Sequence, residues 1–312
     1  MTWTYRHFVL MTTIAIMIMY AFSATIGCKS KDSYRNAIEQ KGIKYSRESF
    51  LAEIIAGNKE NIELFMKAGI SINENVSNEK TIFMYAVETG STDTVNFLID
   101  KGANVNTKSA EGFTALMAAS VQENIEMVKF LIEKHAEINV KDKRGWSALR
   151  WAIEKGKTDS VKLLIEKGAD INTKDNNGWD GLISLSNNKM SYYNDNELLK
   201  LLVEKGADVN TKDSGGSTPL AYLAFNGHFV MLDFFITKGA NVNAKDSNGT
   251  TPLICAVLGD NTLGVILLIS HGADVNTKDN KGMTALSYVS NDSHDMKKAL
   301  LKKALLKAGA KS

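Results

Sequence analysis

Between Asp142 and Lys174 the apolar positions come in two short bursts separated by polar residues. Ala148, Leu149, Ala152 and Ile153 follow Ser147 at helical spacing, and Gly156 breaks the run. Val161, Leu164 and Ile165 form a second stripe at i, i+3 and i+4, which predicts a second helix with Asp159 as its cap. Ahead of the pair, Asp142-Lys143-Arg144-Gly145 has the composition of a turn, with Asp accepting local backbone hydrogen bonds and Gly supplying a positive φ. Gly168 is placed to end the second helix in the left-handed conformation. Neither short helix can cover its own stripe, so burial requires neighbours of the same kind.

Such neighbours recur along the chain. A Gly-Ala-Asp/Asn-Val-Asn-x-Lys segment, in full or in part, puts glycines at Gly69, Gly102, Gly168, Gly206, Gly239, Gly272 and Gly309, with His135 in one slot. Most intervals are 33 residues; Gly168 to Gly206 is 38 and Gly272 to Gly309 is 37. A fixed period of this size predicts stacked supersecondary units in place of one closed core. The two prolines, Pro219 and Pro252, occupy the same slot, each after a threonine and before a leucine. That is a hydroxyl cap followed by a residue preset for the first helical position. Thr114-Ala115-Leu116, Ser147-Ala148-Leu149 and Thr284-Ala285-Leu286 keep the pattern without proline.

On these residues the chain resembles ankyrin-repeat proteins, whose unit is a β-turn plus two helices with a Thr-Pro-Leu-His-x-Ala signature. The resemblance covers roughly residues 46–312 and implies an all-α ankyrin-repeat solenoid of about eight helix–loop–helix units with β-hairpin or turn fingers. The signature histidine is replaced throughout, by Met84, Met117, Arg150, Ile183, Ala221, Ile254 and Ser287. In the family that residue ties neighbouring turns together, so the hydrogen bonding between layers must be found elsewhere. The first unit lacks the Gly-x-Thr turn, and the last carries Lys297, Lys298, Lys302, Lys303 and Lys307, as capping units would.

Residues 8–27 contain no charge, follow Arg6 and His7, and end in small residues before Cys28, the composition of an export signal. Ile26-Gly27-Cys28 resembles the end of a bacterial lipoprotein box, which implies a signal at 1–27, lipidation of Cys28, a tether over 28–45 and the repeat domain at 46–312. Two alternatives are a plain signal-peptidase site at Ala21-Phe22-Ser23 and an uncleaved bilayer span. The span would place the repeats in the cytoplasm, because Lys29, Lys31 and Arg35 outweigh Arg6. The expected location is the cell envelope, membrane-anchored on its periplasmic or surface side; cytoplasmic-face anchoring and secretion are the alternatives.

Charge and chemistry narrow the function by exclusion. With 37 basic and 35 acidic residues there is no net field for nucleic acid, and the recurring Lys-Asp pairs of the turns form a self-neutralising edge. Gly156-Lys157-Thr158 lacks the upstream glycine of a phosphate loop, since Trp151 stands there. The histidines His7, His135, His228, His271 and His294 share no ligand spacing, and Cys255 has no partner within the repeats. No cofactor, metal or catalytic residue is expected.

The positive signal is aromatic. The residue after the turn glycine is Phe113, Trp146 and Trp179 in successive units, an offset expected to face the concave side. Lys143 and Arg144 adjoin Trp146, Phe225 ends a first helix nearby in the pattern, and Tyr192 and Tyr193 lie in the insertion around Asn187–Asn194. Aromatics beside arginine are the composition of protein-binding hot spots. Trp151 shares its column with Tyr85, Ala118, Ser184, Tyr222, Cys255 and Tyr288, which predicts packing between repeats. The expected function is a monomeric, non-enzymatic module that binds a protein through its concave face. A secreted effector acting on a host protein and an envelope enzyme accessory are the alternatives.

Overall fold

In a computed structural model, which describes residues 29–77, 80–188, 193–289 and 296–311 apart from the side chains of Tyr193 and Asn194, the helices start where hydroxyls precede apolar bursts. They run α1 Lys31–Gln40, α2 Arg47–Ala56, α3 Lys59–Lys67, α4 Ile82–Glu88 and α5 Thr92–Asp100. The pairs α6 Ala115–Val121 with α7 Ile125–Glu133, α8 Ala148–Glu154 with α9 Thr158–Glu166, and α10 Gly181–Asn187 with α11 Tyr193–Glu204 follow. The last are α12 Pro219–Asn226 with α13 Phe229–Thr237, α14 Pro252–Leu258 with α15 Thr262–Ser270, and α16 Met296–Lys307.

Thr81, Thr114, Ser147, Thr218 and Thr251 each cap a first helix by accepting the N–H three residues on, at 3.2–3.4 Å. Asp180 does the same for α10 at 3.0 Å, and Pro219 and Pro252 hold the first helical position. Two expectations need correction. Asp159 is not a cap: α9 begins at Thr158, and Asp159 lies in its first turn, where a carboxylate offsets the positive end of the helix. Thr284 starts no α-helix; its N–H donates to Ser287 Oγ, and the chain makes only a 3₁₀ turn over Leu286–Tyr288.

The chain divides into two compact units. The smaller, within residues 29–74 and 93–103, has α1 packed on α3 and α2 beside α3. Ile38, Phe50, Ile54, Ile62 and Phe65 are fully buried or nearly so, Tyr45 stacks on Phe65 at 5.8 Å, and the Tyr45 hydroxyl donates to the Ala68 carbonyl. Within the expected tether, residues 29–45 carry α1, and Ile38 and Tyr45 give this stretch an apolar side that is covered. Residues 1–28, with the expected signal and Cys28, lie outside the described residues.

The larger unit spans 75–92 and 104–312, and here first helix packs on first helix from α4 through α6, α8, α10 and α12 to α14. Second helices pack likewise, α7 on α9 and α13 on α15. The residues that meet are the predicted stripes: Leu116, Leu149, Leu182, Leu220 and Leu253 in the first helices, and Val128, Val161, Leu232 and Val265 in the second, are all buried. The longer unit spends part of its extra length on α11 itself, which starts 13 residues before its glycine slot where α9 and α13 start 10 before theirs.

Among the described residues the fingers are not hairpin ladders, since only isolated bridges form, at Asn75–Thr81 and Lys108–Thr114. Each turn from Asp142 onward closes on two backbone bonds, such as Asp142 N–H to the Trp146 carbonyl and Gly145 N–H to the Asp142 carbonyl, and gives one further N–H to the layer before it. Lys143 N–H reaches the Glu111 carbonyl, Asn176 N–H the Arg144 carbonyl, Ser247 N–H the Gly215 carbonyl and Asn280 N–H the Asn248 carbonyl, at 2.9–3.1 Å. Gly145, at φ 82°, leaves room for this approach: a Cβ there would sit 3.0 Å from Asp175 Cα.

A column of asparagines supplies what the missing histidine does not. The Nδ2 atoms of Asn106, Asn139, Asn210, Asn243 and Asn276 donate to the carbonyls of His135, Gly168, Gly239, Gly272 and Gly309 in the following layer, at 3.0–3.2 Å. Their Oδ1 atoms accept the N–H two residues further on, at 2.8–2.9 Å. The lysines of the Lys-Asp pairs also run between layers: Lys141, Lys174, Lys212 and Lys245 Nζ donate to the carbonyls of Lys174, Lys212, Lys245 and Lys278 at 2.6–3.1 Å.

Asn243→Ala removes both arms of one such clasp and is expected to cost about 1–2 kcal/mol, seen as a lower melting temperature, whereas an unchanged value would show that the clasp is not stabilising. His135 stands at φ 65° in a slot otherwise held by glycine. His135→Gly relieves about 1 kcal/mol of backbone strain and should raise the melting temperature by on the order of 2 °C in thermal unfolding; a fall would refute it.

Candidate binding site

The turn of Asp142 organises one cleft. Its Oδ1 accepts the N–H groups of Arg144 and Trp146, at 2.9 and 2.8 Å, leaving Oδ2 free to point at the first helix. There Trp151, nine residues on, donates its Nε1–H to Oδ2 at 2.8 Å. The Trp151 ring is held edge-on between the two finger aromatics, 5.3 Å from Phe113 and 4.8 Å from Trp146. The exposed Arg144 guanidinium lies 5.5 Å from the Trp151 ring centre and 5.6 Å from that of Trp146. Phe113, Ala118, Val121, Asp142, Arg144 and Trp151 line a cleft of about 280 Å³ whose rim carries Lys80, Glu88 and Glu111. Its floor is apolar and its charges are at the edge.

A second cleft of about 430 Å³ adjoins it through Arg144 and takes in Lys143, Trp146, Arg150, Asp175 and Trp179. Trp146 Nε1 donates to Asp175 Oδ2 at 3.2 Å, so this ring both lines the cleft and ties two turns. Arg150, in the slot of the signature histidine, is only 4% exposed; its Nη1 pairs with Glu154 at 2.8 Å and its guanidinium lies 4.5 Å from the Trp146 ring centre. Arg150 Nε is buried with no partner among the described residues. Trp179 packs edge-on against Tyr222, at 5.9 Å.

Phe113, Lys143, Arg144, Trp146 and Trp179 are thus brought to one continuous lining. Phe225 is not: it is 39% exposed at the end of α12 and lines neither cleft, because the last turn of a first helix carries it away from the turns. Tyr192 and the side chain of Tyr193 lie outside the described residues, as does Cys28. Among the described residues no helix is long and apolar enough to cross a membrane.

Trp151 is the residue the column pattern undervalued. The signal for it is the spacing Asp-x8-Trp/Tyr, which recurs where Tyr222 donates to Asp213 Oδ2 at 2.6 Å and where Tyr288 bonds Asp279. Burial, then the bond to Asp213, pushes the Tyr222 phenol well above its usual range, and the Tyr288 bond holds the Asp279 carboxyl below its own. In the layer between, the same position is Cys255; burial, then the charge of Asp246, pushes this thiol up to about 12. It is a packed residue and a poor nucleophile.

A family model described as "Ankyrin repeats (3 copies)" matches residues 49–142, 108–175, 188–279 and 246–310. Among solved structures, an ankyrin repeat domain from Acinetobacter baumannii AYE is similar at 29% identity with a TM-score of 0.56, over 63% of this chain and 98% of that one. The human ASB11 ankyrin repeat domain is similar at 20% identity and TM-score 0.61, over 75% of this chain and 100% of that one. The ankyrin repeat domain of Bcl-3, a member of the IkappaB protein family, is similar at 23% identity and TM-score 0.61, over 70% and 96%. The last two likenesses are of fold alone. The chain has no match among curated proteins compared by sequence.

Proposed function

Because this chain belongs to the ankyrin-repeat family, whose domains are protein-interaction modules, we propose that it captures a protein segment in the two clefts joined at Arg144 and has no enzymatic role of its own. The observation that carries this is the Phe113–Trp151–Trp146 cluster with Arg144 laid over its rings. Rings fixed by packing and by the bonds to Asp142 and Asp175 lose little freedom on binding, which is what a hot spot requires. An apolar side chain of the partner would enter the cleft floored by Ala118 and Val121. The exposed guanidinium fork of Arg144 favours a carboxylate next to that side chain.

We further propose that residues 1–27 export the chain and that Cys28 is lipidated, on the strength of the uncharged run at 8–27 and the small residues before Cys28. The mature protein would then start at Cys28 with a mass above that of the polypeptide by its acyl groups; intact-mass measurement showing Met1 or an unmodified Cys28 rules this out.

For the clefts, a photo-crosslinking residue in place of Lys143 should capture a discrete partner, and Arg144→Glu should weaken that capture on the order of tenfold or more. Arg144 is exposed, so the melting temperature should hold. Capture unaffected by Arg144→Glu would sink the assignment.

A further inference from the structure

The position nine residues before the glycine slot is the same point of the repeat, on its second helix. Down the chain it reads Glu60, Asp93, Glu126, Asp159 and Glu197, and then Val230, Leu263 and Leu300. It is the second residue of α3, α5, α7, α9, α13 and α15, and the fifth of the longer α11 and α16. An acid keeps an outward position wet, and in the first turn it also offsets the helix dipole. From α13 on, apolar side chains take its place and stay 53%, 59% and 50% exposed. At the helix ends Asp100, Glu133, Glu166 and Glu204, which follow Lys67 of the first unit, give way at the same layer to Thr237, Ser270 and Lys307.

The packing does not absorb the change. α13 and α15 are apolar nearly all round, yet bury only Met231, Leu232 and Phe235, and Gly264, Val265 and Leu268, leaving Phe229 and Ile266 half-exposed beside the column. A helix apolar on every side belongs in a core or against another apolar phase. Capping of the final layer is no explanation, because Val230 and Leu263 stand on layers that have a successor packed on them.

Charge identifies the covering phase. Between α15 and α16 an apolar groove of about 540 Å³, walled by Ile266, Ile269, Leu300 and Ala304, is flanked by Lys303 and Lys307. α16 holds five lysines and no acid. On α13 and α15 the one acid, Asp233, is paired with His271 at 3.2 Å. Apolar side chains rimmed by lysines whose stems reach along the surface are the composition of a face that rests in the headgroup region of an anionic bilayer. A second copy of the chain would set lysine against lysine.

We propose that the outer face of α13, α15 and α16 docks on an anionic lipid surface through Val230, Leu263, Ile266 and Leu300, with Lys303 and Lys307 supplying the charge. This is separate from the partner clefts and from any N-terminal anchor. The test is co-sedimentation of the full chain with vesicles of phosphatidylcholine alone and of phosphatidylcholine containing a quarter phosphatidylglycerol. The comparison is with V230E/L263D/L300E, which restores the acids of the other layers, and with the uncharged V230Q/L263Q/L300Q. The N-terminal segment is present in every arm, so only differences count. The wild type should partition onto the anionic vesicles on the order of tenfold better than onto the neutral ones. Both variants should bind the anionic vesicles on the order of tenfold less than the wild type and keep their melting temperature. The proposal falls if either variant partitions onto the anionic vesicles like the wild type, or if the wild type shows no preference for the anionic vesicles.

Discussion

A turn in the larger unit cannot satisfy its own backbone. In that of Asp142 two N–H groups close the turn and one side-chain oxygen of the aspartate takes two more, but the Lys143 N–H and the Arg144 carbonyl point along the stack and find partners only in the layers before and after. The apolar stripes impose the same dependence from the helix side, since Leu149 or Val161 is buried only by a neighbour. Polar and apolar requirements therefore run in the same direction and with the same period. Stability is a chain of nearest-neighbour terms. The asparagine clasps matter because they combine a donor and an acceptor in one side chain and so fix the register of each layer on the next.

This arrangement does not require large side chains beside the turns, yet the sequence places them there. Other layers carry small residues at the same offsets, such as Ser217 in the column of Trp146 and Ala118 in that of Trp151. Both indole rings are nevertheless held firmly, by Asp142 and Asp175, at the edge of a cleft that the turns themselves define. Rigidity is borrowed from the layers and presented to solvent.

Much of this was legible in residue order. Thr218-Pro219 and Thr251-Pro252 announce helix starts because a cap and a fixed φ act within four residues, and the glycine slots announce helix ends for the same reason. Phe113, Lys143, Arg144, Trp146 and Trp179 could be grouped because one repeat offset is one place on the surface. What failed was whatever depends on a rotamer or a competing local bond. Trp151 packs between layers as its column predicts, against Phe113 and Trp146; what the column does not register is its bond to the oxygen that Asp142 has left over. Phe225 shares the chemistry of the site but not its face. The α-helix expected after Thr284 yields to a bond between Thr284 and Ser287, a contest that periodicity does not register. The helix in the supposed tether was missed because its apolar side is short, resting on Ile38 and on Tyr45 beyond its end.

The turn glycines are constrained for two separate reasons. A methyl group at Gly145 would strike Asp175, and at Gly249 it would come within 3.1 Å of Asp279, because each has a following turn pressed against it. Gly282 has the same left-handed backbone, φ 76°, but no described atom within 4 Å of where its Cβ would be. A side chain at Gly145 or Gly249 is therefore opposed both by its own backbone and by the neighbouring turn, whereas at Gly282 only the backbone objects among the described residues.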